Sequence, residues 1–210
     1  MSEFLAQYGG ELLIKTWEQI YISAIALCLG IIVAVPIGVA LTLFPKLAKI
    51  FIGIASILQT IPSLALLAIM IPFFGIGRTP AIIALFVYSL LPIMRNTYIG
   101  MNNVDPILKD SAKGMGMKPI QSIFQVELPL AVPVIMTGIR LSAIYVIAWA
   151  TLASYIGAGG LGDLIFSGLS LFQPSLIIGG TIPVILLSLI VDYLLGRLEN
   201  YLTPRHKRSL

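Results

Sequence analysis

Residues 20–43 contain no charged side chain. At about 1.5 Å per residue a helix of that length crosses a hydrocarbon core of roughly 30 Å. Few folds tolerate such a run, because a helix that is apolar all round has to be buried in protein or in lipid. Apolar runs recur at 50–74, which is also free of charge, and at 79–98, 130–155 and 174–195, which carry one charge each: Arg95, Arg140 and Asp192. Charged residues make up only 10% of the 210-residue chain, where a soluble domain carries about a quarter. The expected fold is therefore a single all-α integral membrane domain over 1–210 with five transmembrane helices. Pro36 and Gly38 interrupt the first run, and Gln59, Thr60 and Pro62 the second. Membrane helices accommodate such residues where neighbours satisfy the freed backbone groups. Residues 44–49, with Lys46 and Lys49, read as a short basic connection, and Pro80 opens the third span. Glu3, Glu11 and Glu18 against a single Lys15 are the wrong leader for a cleavable signal peptide, so the first run is expected to remain as a span.

The basic residues orient these spans. Lys46, Lys49, Arg95, Lys109, Lys113, Lys118, Arg197, Arg205, Lys207 and Arg208 fall on one side, and Lys15 and Arg78 on the other. An excess of Lys and Arg marks the cytoplasmic face. The expectation is a multi-pass protein of the plasma membrane, with its N-terminus outside and its C-terminus in the cytoplasm. The net charge of +4 thus reflects membrane orientation rather than nucleic-acid binding. The tail PRHKRSL reads as an anchor near anionic lipid.

Catalytic and metal chemistry find little support. Cys28 is the single cysteine and sits in an apolar run, and His206 is the single histidine. No cluster has metal-ligand spacing, and no GxxxxGK[ST] stretch exists to cradle phosphates. Gly157, Gly159 and Gly162 match a dinucleotide-binding pattern, but outside any βαβ unit. That segment reads either as a flexible outer gate or as a plain linker. No enzyme activity, cofactor or metal is expected in this chain.

The longest polar interruption is residues 103–129. Asp105 before Pro106 forms a helix start, a carboxylate cap followed by proline at the first position. Gly114 and Gly116 supply a stop. Lys118 and Pro119 open a second short helix with Ile120, Ile123 and Phe124 on one face, and Leu128-Pro129 closes it. The pair is too short and polar to span a bilayer, and looks built to be gripped by another protein.

This spacing resembles the cytoplasmic loop of binding-protein-dependent ABC importer permeases, whose motif reads E-A-A, three residues, G, nine residues, I-x-L-P. Asp110, Ser111 and Ala112 stand for E-A-A, Gly116 for the glycine, and Val126 to Pro129 for I-x-L-P. The resemblance implies a type I importer permease fold. It makes Asp110, Ser111, Ala112, Gly116, Leu128 and Pro129 the residues that couple to an ATPase. It also implies ABC ATPase subunits carrying ATP and Mg, an extracytoplasmic substrate-binding protein, and a second permease subunit, identical or related. Pro133 to Leu141 resembles the start of the family's next span, and GAGGLG with Asp163 its outer loop. LQTIPSLA, residues 58–65, resembles permeases for glycine betaine, carnitine and choline. A methionine-type permease shares the five-span plan. A non-transporting scaffold and an ion-channel subunit are the readings from other classes.

Polar and aromatic residues within spans are the candidates for lining a pathway, since an aromatic face attracts a cation. These are Gln59, Thr60, Ser63, Tyr88, Tyr98, Tyr145, Trp149 and Tyr155. Arg140 is expected to snorkel to the surface or to pair with an acid such as Glu127. Asp192 is expected to meet Arg197 or the polar loop. Arg95 and Asn96 read as anchors at the end of the third span.

Overall fold

Glycines decide which helices can touch. Among Arg78–Asn102 (the fourth helix, α4), Ser2–Leu43 (α1) and Leu128–Ala150 (α7), the crossings run over small residues. A Cβ on Gly30 would strike Ser89 Oγ, and one on Gly38 would lie 2.7 Å from Thr97 Cβ. On the other side of α4, a Cβ on Gly138 would lie 2.7 Å from the Pro92 carbonyl oxygen. Small residues let backbones approach where lipid offers no hydrophobic drive between helices. These contacts place α4 at the centre, with α1 and α7 flanking it.

The computed structural model describes residues 2–203, with side chains from Gln7 onward. The basic tail with Arg205, His206, Lys207 and Arg208 lies outside the described residues. Between the three central helices run α2 (Pro45–Thr60), α3 (Ser63–Phe74), α5 (Pro106–Gly114) and α6 (Pro119–Ser122). A π turn at Ile123–Glu127 leads into α7, and a 3-10 turn at Leu152–Ile156 leads out of it. The short α8 (Gly162–Ser170) and the long α9 (Pro174–Leu202) follow, and the described residues contain no strand.

Among the described residues four helical stretches are long and apolar enough to cross a membrane, and α2 with α3, bent by 97°, makes a fifth if the pair is one span. That bend corrects the expectation of one continuous second span over 50–74. Proline disfavours the α conformation in the residue before it. Ile61 accordingly takes an extended conformation, φ −66° and ψ 127°, ahead of Pro62. Three other boundaries also move. α1 begins at Ser2, far ahead of residue 20, because the polar leader continues the same helix. The basic connection at 44–49 is instead the first turn of α2, with Pro45 at the first helical position, where its fixed φ suits the helix. Pro129 does not close the second short helix. The widened turn at Ile123–Glu127, in which Leu128 N–H reaches the Ile123 carbonyl, takes the proline and runs into α7.

The core forms two stacked clusters. One gathers Ile22, Leu66, Leu85, Tyr88 and Val146, the other Leu41, Ile93, Met101, Ile135 and Ile139. A small third cluster, Leu161, Leu164 and Leu176, is covered by Tyr8 and Leu12, so the first turns of α1 lie over α8 and α9. Large apolar side chains on α9, among them Leu186, Leu189 and Ile190, stay exposed. Such a face suits lipid.

Candidate functional site: the α5 loop, a polar cleft and a glycine clasp

α5 is built from its ends. Asp105 Oδ1 accepts a bond of 2.9 Å from Ile107 N–H, and Pro106 takes the first position. At the other end Gly116 has φ +79°, Gly116 N–H reaches the Lys113 carbonyl and Met117 N–H the Ala112 carbonyl. This paired closure needs a left-handed residue, which glycine adopts without a Cβ penalty. Ala112 is fully buried, while Ile107, Leu108 and Met115 point outward, as do Ile120 and Phe124 beyond the turn. Ser111 is exposed and donates to the Ile107 carbonyl. Asp110 accepts from Lys113 at 3.2 Å within its own helix, so it has a local cation near the helix C-terminus. Leu128 packs on the core cluster around Ile135, and Pro129 sits in the first turn of α7.

A strut fastens α5 to the spans. Lys109 Nζ donates to the Met101 carbonyl at 2.9 Å, near the end of α4. It also lies 3.3 Å from Glu127, which accepts from Ser122 Oγ at 3.0 Å. One side chain thereby joins α4, α5 and the root of α7. Sequence reasoning saw Lys109 only as part of a charge count. A lysine close to an orphan helix-terminal carbonyl could have flagged it.

The break between α2 and α3 is sealed by two residues read as pathway candidates. Pro92 has no N–H to offer the Tyr88 carbonyl one turn back. Gln59 Nε2 donates to that carbonyl at 3.0 Å, and the Tyr88 hydroxyl donates to the Ile61 carbonyl at the break. In lipid such groups have to be satisfied within the protein. Tyr88 is thus buried in the core, its ring 4.5 Å from that of Trp149, which stacks on Tyr145 at 5.3 Å.

Tyr145 opens onto a cleft of about 410 Å³ between α2, α4 and α7 that Gln59, Arg95 and Asn96 also line. A second cleft of about 410 Å³, on the other side of Arg95, holds Lys49, Ser56 and Tyr98. Thr60 bonds back to the Ile57 carbonyl, and Ser63 starts α3; neither lines these clefts. Tyr155 packs on Phe166 at the far end of the bundle. Arg95 and Asn96, read as anchors, are the residues the structure adds to the cleft.

The glycine-rich segment between α7 and α8 is more than a plain linker, because α1 holds it. Gly160 N–H donates to Glu18 Oε2 at 3.0 Å, and Leu161 N–H to Gln19 Oε1 at 3.2 Å. Gln19, fully buried, uses its Nε2 on the Ile147 carbonyl at 2.8 Å. Gly159 and Gly160 both have positive φ, and a Cβ on either would strike those side chains, Glu18 Oε2 from Gly159 and Gln19 Oε1 from Gly160. Glu18 also pairs with Arg78 and Lys15, and Lys15 with Asp163. Asp163, in the first turn of α8, makes no cap bond to that helix and pairs with Lys15 instead.

Arg140 corrects another expectation. Its partner is not Glu127. Its guanidinium grips Asp192 through both oxygens at 2.8 and 3.0 Å and reaches Glu199 at 3.0 Å. α7 is thereby bolted to α9. Arg197 turns to Tyr193 instead of Asp192.

Long apolar helices around a central α4 and a surface-lying α5 define a polytopic membrane protein. Its backbone is similar to a chain of the MetNI methionine ABC transporter in inward-facing conformations. The TM-score is 0.83 at 23% identity, over 92% of this chain and 97% of that one. That likeness identifies a type I ABC importer permease fold. Residues 26–208 match the model of the binding-protein-dependent transport system inner membrane component. The chain belongs to that family, and is a transport component of a membrane. It is 59% identical to the carnitine transport permease protein OpuCB of Listeria monocytogenes, over 98% of this chain and 94% of that protein. It is 58% identical to the choline transport system permease protein OpuBB of Bacillus subtilis, over 99% and 96%.

Proposed function

We propose that this chain is the membrane-spanning permease subunit of an ATP-driven importer for quaternary-amine osmoprotectants: glycine betaine, carnitine or choline. The observation that carries the reading is near-full-length identity of 58% and 59% to permeases named for choline and carnitine. The chain works with a substrate-binding protein outside, an ATPase carrying ATP and Mg inside, and a second permease subunit. The α5 loop faces the cytoplasm and the N-terminus lies outside. Lys15 and Arg78 meet at Glu18, at the end of the bundle away from α5, and this small basic share supports that orientation. The exposed apolar face of α5 docks on the ATPase, and the Lys109 strut passes its movement to α4 and α7. This chain has no GxxxxGK[ST] stretch to hold ATP in the P-loop manner, and the ATPase contact is where energy enters.

The experiment is uptake of labelled glycine betaine, with carnitine, choline and methionine as competitors, in cells expressing the complete importer. Competition by the quaternary amines and not by methionine is the expected result. Competition by methionine alone would replace the substrate class. Uptake that persists without the ATPase would point to a channel, and no uptake of any of these solutes to a scaffold. Impermeant cysteine labelling in a Cys28→Ser background tests orientation. Ser2→Cys should react in intact cells and Ser209→Cys should not.

A further inference from the structure

Arg95 occupies an unusual place. It lies on α4, about five helical turns beyond Arg78. Its side chain lines both clefts. Among the described residues no carboxylate pairs with it and no hydrogen bond engages it. Arg140, by contrast, has two acids. Lys49, across the second cleft, is likewise without an acid among the described residues. Arg95 is exposed to these clefts near the cytoplasmic end of α4, so its guanidinium is free to take an anionic group that enters them. The fork geometry of guanidinium matches a carboxylate with two parallel bonds.

The same cleft carries the complement of a quaternary ammonium. Tyr145 is 39% exposed, and its ring is held by Trp149, which is itself braced by buried Tyr88. A fixed aromatic face is the usual partner of an ammonium that has no N–H to donate. Gln59 and Asn96 complete the wall. Their amide nitrogens are committed to the Tyr88 and Pro92 carbonyls.

We propose that this cleft is a transit site for zwitterionic quaternary amines, with Arg95 taking the carboxylate and Tyr145 the ammonium. On this arrangement Arg95 makes the permease itself favour carboxylated substrates over choline, whose hydroxyl cannot offset the positive field. The inference rests on the importer reading above, and adds a selectivity residue to it.

The test compares uptake of glycine betaine and choline by the complete importer carrying R95Q, R95K or Y145A. R95Q should lower the betaine rate by about ten-fold or more, the usual scale for losing a charge-assisted bond, and leave choline unchanged or faster. R95K, with charge but no fork, should fall between. Y145A should lower both substrates, since both carry the ammonium. Equal losses for betaine and choline in R95Q, or no loss, overturn the assignment. So does choline uptake that survives Y145A unchanged. Should R95Q fail to co-purify with the ATPase, R95K decides by the same betaine-to-choline ratio. A wild-type importer that carries none of glycine betaine, carnitine and choline refutes the function itself. A wild type that carries both, with R95Q unchanged, refutes only the role of Arg95.

Discussion

The two glycine turns of this protein use the same residue for opposite reasons. At Gly159 and Gly160 positive φ coincides with contact, because α1 presses Glu18 and Gln19 against the backbone. At Gly116 φ is also positive, yet a Cβ there would meet nothing within 4 Å. The first turn is clasped by the protein. The second is open and held only by its own backbone bonds and by the Lys109 strut. A turn that a fold needs for its own packing is crowded. A turn kept free in the isolated chain has space for a partner, and for the α5 loop we read that partner as the ATPase.

Substitutions at the clasp should have the largest effect. A side chain in the left-handed region carries a steric penalty of its own. Gly160→Ala adds to it a collision with the Gln19 oxygen, and is expected to abolish recovery of folded protein in detergent. Recovery of monodisperse protein with an unchanged melting temperature would show the clasp to be dispensable. Gln19→Leu comes next. It orphans Leu161 N–H and the Ile147 carbonyl. Each buried group left without a partner costs about 1–3 kcal/mol. The variant should lower the apparent Tm while leaving the α5 end able to bind the ATPase.

The open turn should break differently. A side chain at Gly116 touches nothing, so Gly116→Asp meets only local backbone strain, a small cost beside a buried collision. The spans should insert and melt as in the wild type, while substrate-stimulated ATP hydrolysis in proteoliposomes uncouples from uptake. Normal stimulation and normal uptake would sink the coupling role of residues 103–129. Lys109→Met sharpens the contrast further. ATPase should still co-purify, but stimulation by loaded binding protein should fall, because α5 is no longer tied to α4 and Glu127. The smallest effect is expected for Asp110→Ala. The Asp110–Lys113 pair is three-quarters exposed. Pairs of that kind contribute about 0.2–1 kcal/mol, so only a mild weakening of ATPase association is predicted.

What the sequence determined by itself rests on signals that act within a few residues. Run length and missing charge marked a helical membrane protein. Asp105-Pro106 marked where α5 begins, and Gly116 where it has to turn, because capping and φ are local properties. The same logic misjudged Pro62 and Pro129. Both lack an N–H, but whether a proline breaks a helix or is absorbed by a wider turn depends on what can satisfy the neighbouring carbonyls. At Ile61 the answer came from Tyr88, 27 residues away, and at Tyr88 from Gln59. The partners of Arg140 are 52 and 59 residues distant, and Glu18 finds Gly160 across 142. No spacing rule carries such pairings, since they depend on which helix faces cross. Small residues at Gly30, Gly38 and Gly138 settle those crossings, and only the packed structure shows which side chains they bring together. The unpaired state of Arg95 is legible for the same reason only in three dimensions, where both clefts that it lines contain no carboxylate.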